Sequence, residues 1–181
     1  MLSLLVLLFI VVTFIFTGAH YGNSRPLTEE EIIVAKSIYQ NEIDLNKVRL
    51  AFDAVYSKGA SKTLGNIIHI NTNFLDVKSI EYKFLLIHEL GHAWQYQTNG
   101  WGYIPKSLIA QGMAWFKTGS RDNAYLWQNR LSEGKEWEEL NPEEQAEAIA
   151  YYFYYKEFGP QESFEQLQCF IPFLVKTSCQ P

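Results

Sequence analysis

The stretch from Ser79 to Gln97 contains no proline and one glycine, Gly91, while Tyr82, Leu85, Leu86, Glu89, Ala93 and Tyr96 recur at three- and four-residue steps. This spacing predicts a helix that ends at Thr98-Asn99-Gly100. His88 and His92 lie four apart within it, so their imidazoles stack on one face, a turn apart, and can share one ion. The flanking Leu85, Leu86, Ile87, Ala93 and Trp94 carry no charge, which puts this part of the helix in the interior. Two histidines and Glu89 are costly there unless paired or bound to a metal. Glu89 lies within reach of a metal-bound water. That is the arrangement of a zinc hydrolase, in which the ion lowers the pKa of its water towards about 7 and a carboxylate takes the proton.

Tetrahedral zinc with an open position requires a third protein ligand. Of the two remaining histidines, His20 adjoins an apolar leader and His69 sits in an expected strand, where a strand-end or core role suits it; no HExxHxxGxxH extension follows, since position 98 is Thr98. The other source is a helix opening at Asn141-Pro142, which supplies Glu143, Glu144 and Glu147. Glu143 and Glu147 share a helical face, so one can ligate while the other accepts a hydrogen bond from a ligand imidazole. Glu144, three residues after the cap Asn141, suits the capping role.

Residues 1–19 hold 15 apolar side chains and no charge, which makes the 48% hydrophobic content of the 181-residue chain uneven. The apolar run Leu2 to Phe16 and its small-residue end Thr17-Gly18-Ala19 suit either a signal peptide cleaved after Ala19 or a short signal anchor. The chain is therefore expected to be exported, either periplasmic or secreted, or anchored in the inner membrane facing outward through residues 2–18. Residues 20–181 have ordinary globular composition and no repeat or linker, and read as one domain. A net charge of −5 without a basic stripe excludes nucleic acid as a partner. Cys169 and Cys179 can form a bridge in an oxidising compartment or remain two small hydrophobes.

The remaining elements follow from local signals. Thr28-Glu-Glu-Glu31 is a capping box for a helix over 29–40. Strands are expected over 48–52 and 66–70, pairing as a small sheet, with a turn or loop at 57–62. Short helices are expected over 106–116 and 163–167, and a longer one from Asn141-Pro142 to Phe158, stopped by Gly159-Pro160. The fold class is α+β: mostly helical, with a short sheet, preceded by an apolar leader helix.

With these residues in view, the chain resembles the gluzincin clan of zinc metallopeptidases, and more closely the small bacterial metallopeptidase-like proteins associated with Rhs and Vgr secretion genes. The matching stretches are Arg25 to Leu50, HELGHAWQYQ (His88 to Gln97) and EEQAEAIAYYF (Glu143 to Phe153). The resemblance implies a zincin-like domain in which zinc is held by His88, His92 and Glu143, with Glu147 at the plus-four acidic position. That acid is Glu rather than Asp, and Ala150-Tyr151 stands where members of the family often carry an acidic residue before Tyr-Phe. Gluzincins commonly use a Tyr or His to stabilise the oxyanion. Tyr125, in an Ala-Tyr segment like the family's, is expected to pack in the core. The resemblance also implies a strand beside the cleft that pairs with an extended peptide, assigned to Asn66–Ile70.

The sequence thus predicts an exported zinc metallopeptidase with Glu89 as general base and a peptide or protein as substrate; cell-wall amides are open to the same chemistry. The alternative is a non-catalytic, zinc-stabilised interaction module, anchored to the membrane and serving a secretion system, with Tyr151 to Tyr155 as contact surface.

Overall fold

The computed structural model describes residues 24–52, 60–71 and 76–174. The leader, the Ala19–His20 junction and Cys179 lie outside them. Four three-residue strands, β1 (Ser24–Pro26), β2 (Arg49–Ala51), β3 (Lys62–Leu64) and β4 (Ile67–His69), form one sheet in the order β1-β2-β4-β3. The helices are α1 (Glu29–Tyr39), α2 (Ile80–Asn99), α3 (Tyr103–Thr118), α4 (Trp127–Ser132), α5 (Pro142–Phe158) and α6 (Gln161–Phe170). The α+β class holds, with helix dominant.

The capping signals act as expected. Thr28 and Glu31 close a reciprocal box at the start of α1, and the Glu31 carboxylate also accepts from the two terminal guanidinium nitrogens of Arg25 (2.7 and 2.8 Å) and from the Tyr82 hydroxyl (2.6 Å). One buried acid therefore ties β1, α1 and α2 together. Burial alone would raise its pKa, but Arg25, Tyr82 and the Thr28 amide outweigh burial and lower it to about 2. Ser79 caps α2 through the Tyr82 amide.

The two expected strands do pair, as the parallel neighbours β2 and β4. The sheet has two further members, β1 and β3, each antiparallel to its neighbour. β3 turns into β4 through Gly65-Asn66, where Gly65 has φ +64° and a Cβ would lie 3.1 Å from the Trp101 ring, so glycine is required on both counts. One expectation is corrected here. β4 is paired on both sides, to β2 and β3, so its backbone groups are already used and it cannot take on a peptide; the edge strands are β1 and β3, of which β3 touches Glu89.

The sheet packs on α2, with Leu50, Ile68, Leu86 and Leu90 almost wholly inaccessible between them. On its other side α2 packs along α5, the most extensive helix pair. Close approach is possible because Gly91 has no side chain: a Cβ there would lie 3.0 Å from both Cα and Cβ of Ala146. Tyr39 donates its hydroxyl to the Ile87 carbonyl at 2.7 Å in the same region. The 106–116 helix extends at both ends to become α3, and the 163–167 helix becomes α6, which carries Cys169 in a disulfide.

Candidate metal centre

The α2–α5 contact brings His88, His92 and Glu143 together, all buried, with one potential ligand atom from each lying within 4.8 Å of the others. The Glu143 Oε2 atom is 3.5 Å from His88 Nε2 and 3.3 Å from His92 Nε2. Both imidazoles therefore turn the same nitrogen toward one point, as the four-residue spacing requires.

Each ring is oriented from behind. His88 Nδ1 bonds to Glu147 Oε2 at 2.8 Å and His92 Nδ1 to Gln95 Oε1 at 2.9 Å. The Gln95 amide is fixed in turn, since its NH2 donates to the Pro142 carbonyl (2.9 Å) and to Gln145 Oε1 (3.1 Å). Oxygen acceptors at both Nδ1 atoms select the tautomer that leaves Nε2 as a lone-pair donor.

Glu143 is placed by the opening of α5. Asn141 Oδ1 accepts from the Glu143 and Glu144 amides (2.8 and 3.1 Å), and Glu144 returns the bond to the Asn141 amide at 2.9 Å. Glu144 is thus the capping residue, held also by Arg130 at 3.1 Å. Glu143 stands in the first turn, where the helix dipole favours negative charge. Its Oε1 accepts from Gln111 Nε2 at 2.7 Å and from the Ser107 hydroxyl, both on α3, which leaves Oε2 for the imidazoles. The sequence reading does not include these two α3 residues; their signal is an uncharged polar pair four apart, on one face of the helix.

Charge in the cluster is concentrated. Burial works against a charged His88, yet hydrogen bonds to Glu143 and Glu147 and the charges of Glu89 and Glu147 raise its pKa to about 10. Burial likewise opposes ionisation of Glu143, but His88 and His92 hold it far below the usual carboxylate range. The carboxylates thus favour positive charge at the point where the Nε2 atoms meet, a place that a proton on His88 takes and that a metal ion would take in exchange for that proton.

Glu89, 4% exposed, is next to the cluster without being one of the three. Its Oε2 accepts from the Thr63 hydroxyl of β3 at 2.7 Å, so the sheet edge orients it. A cleft of about 390 Å3, lined by Ser61, Asn71, Phe84, Tyr125 and Glu147, opens on His88 and Glu89. The expectation that Tyr125 packs in the core is corrected: it is half-buried on the cleft wall, its ring centroid 5.8 Å from that of His88. Burial and the carboxylates of Glu143 and Glu89 raise its pKa and keep the phenol protonated. Tyr103 stacks on His92 from the other side, with ring centroids 5.8 Å apart, and donates to the Thr63 carbonyl at 2.8 Å. His69 is buried in β4, outside the cluster.

No protein-family model and no curated protein matches the chain. Among solved structures it is similar to the effector domain of Pseudomonas aeruginosa VgrG2b, with a TM-score of 0.52 and 22% sequence identity over 84% of each chain. At that identity the likeness is one of fold alone.

Proposed function

We propose that this domain is a zinc-dependent hydrolase that cleaves peptide bonds, with His88, His92 and Glu143 as ligands and Glu89 as general base. The observation that carries the reading is the convergence of two Nε2 atoms and one carboxylate oxygen beside a second buried carboxylate that is not among the three. The donor set fits zinc. Two imidazoles with their Nδ1 atoms engaged elsewhere, plus one carboxylate, leave a fourth tetrahedral position, and imidazole donors disfavour calcium and magnesium.

When bound, zinc would supply a polarised carbonyl and a water that loses its proton near neutral pH. Glu89 takes that proton and returns it to the leaving amine. Thr63 engages one Glu89 oxygen, and the other takes the proton. The Tyr125 phenol donates a hydrogen bond to the oxygen that gains charge in the transition state. An extended peptide pairs with the outer edge of β3 on its Ser61 side, since Tyr103 already occupies the Thr63 carbonyl.

The apolar leader supports an exported location, either periplasmic, secreted or anchored in the inner membrane facing outward. The fold likeness supports a secretion-associated effector role. A non-catalytic metal-stabilised module uses the same ligands but has no need of Glu89, and that residue separates the two readings. Elemental analysis of the purified protein is expected to give one zinc per chain. Glu89→Gln is expected to keep the zinc and lose turnover of a fluorogenic peptide library; undiminished turnover in that variant removes Glu89 from the mechanism.

A further inference from the structure

Helix α3 presents its two sides to different surroundings. Its inner side carries Tyr103, Ser107 and Ala114, all buried. Its outer side leaves Leu108 (63% exposed), Ile109 (61%), Met113 (53%), Trp115 (60%) and Phe116 (86%) in water. At about 100° per residue these five side chains fall within an arc of roughly 160°, with Phe116 near its centre. Together they leave on the order of 600 Å2 of apolar surface, at the top of what one patch on a soluble monomer carries.

Charge around this arc is one-sided. Lys106 and Lys117 lie side by side along one margin, Arg121 follows, and no acid occurs from Gly100 to Arg121 in a chain whose net charge is −5. Glu138 and Glu139 stand across a groove from the two lysines, and Glu139 is already paired to Lys135 at 2.9 Å. Exposed tryptophan is also present at both ends of the helix, as Trp101 and Trp115. No helix among the described residues is long and apolar enough to cross a membrane. A wide apolar arc with lysines along its margin and aromatic rings at its ends has the chemistry of a helix lying in a lipid interface.

We propose that α3 is an interfacial membrane helix that seats its outer face in the headgroup–acyl boundary of an anionic bilayer. Phe116, Ile109 and Leu108 enter the acyl region, and Lys106 and Lys117 extend along the margin to anionic headgroups. This docking does not depend on the metal or on Glu89.

The test uses the full-length chain carrying Met113→Cys, labelled with an environment-sensitive fluorophore under non-reducing conditions and mixed with vesicles of phosphatidylcholine and phosphatidylglycerol. The label is expected to shift to the blue and to be quenched by spin-labelled acyl chains. Each lysine near an anionic surface contributes about a fivefold bias, so Lys106→Gln with Lys117→Gln lowers the docked-to-undocked ratio about 25-fold. The corresponding double change to Arg preserves it. Phe116→Ser, at the centre of the arc and away from the core, also reduces docking. A label that stays water-exposed on anionic vesicles overturns the proposal. So does a shielded label that lipid spin labels fail to quench, which would mean that residues 2–16 or a second copy of the chain covers the face.

Discussion

Gly91→Ala probes whether the spacing of α2 and α5 sets the candidate metal centre and the zinc affinity proposed for it. An alanine Cβ would lie 3.0 Å from both Cα and Cβ of Ala146, whereas carbon atoms in ordinary contact sit about 3.5–4.0 Å apart. α5 must therefore retreat by roughly 0.5–1 Å. Two effects then compete in the metal-free protein. Replacing glycine within a helix contributes about 1 kcal/mol, and overpacking costs about 1–3 kcal/mol, so the net loss is about 1 kcal/mol. The metal has no such offset. Glu143 lies one turn before Ala146 on the same helix, and ligand distances tolerate only about 0.2 Å, so zinc affinity should fall at least about tenfold. Gly112→Ala is the control, since a Cβ there meets nothing within 4 Å; it should stabilise by about 0.5–1 kcal/mol and leave affinity unchanged. Chemical denaturation in chelator and zinc competition against a chromophoric chelator separate the two quantities. Zinc affinity within twofold of the unaltered protein in Gly91→Ala would refute the link between helix spacing and ligation.

Three further outcomes are expected. Gln111→Leu removes a donor to Glu143 Oε1 and should weaken zinc binding about 10- to 100-fold, measured by the same competition. Thr63→Val keeps the shape of the side chain but loses the bond to Glu89; kcat should drop with KM and zinc content unchanged. Glu31→Gln should cost about 1–2 kcal/mol at neutral pH, a modest figure because Arg25 is partly solvent-exposed. The folded pKa of Glu31 is about 2 against an ordinary 4.5, so its contribution is complete above pH 4.5 and is lost as pH falls towards 2. The difference between the two proteins in urea unfolding should shrink over that window, and a difference independent of pH would assign the loss to packing.

Much of this architecture is legible in the sequence because its signals are local. The Thr28–Glu31 and Asn141–Glu144 boxes each begin a helix at the expected residue, and the His88–His92 pair is fixed by helical geometry alone. What escapes is decided by contacts between distant segments. Ser-Arg-Pro and Lys-Thr-Leu have no strand pattern of their own and become β1 and β3 only because β2 and β4 offer partners. The strand expected to pair with a peptide lies inside the sheet for the same reason: which strand lies at an edge depends on sheet order. Glu143 and Glu147 are equivalent on a helical wheel, and the depth at which α5 docks determines which faces Nε2 and which Nδ1. Tyr125 reaches the cleft through the short turn Asp122–Tyr125, whose direction no periodicity encodes.

The three candidate ligands come from two helices, with about fifty residues of chain between His92 and Glu143, and this sets an order of events during folding. The histidine pair is complete as soon as α2 forms, a step on the order of a microsecond. Glu143 joins only after a long loop has closed and α5 has packed on Gly91, which is slower. On the proposed zinc ligation, a folding chain would first offer the ion only a weak two-nitrogen chelator. Zinc captured at that stage would then template the docking of α5, and refolding should be faster with the ion present than when it is added afterwards.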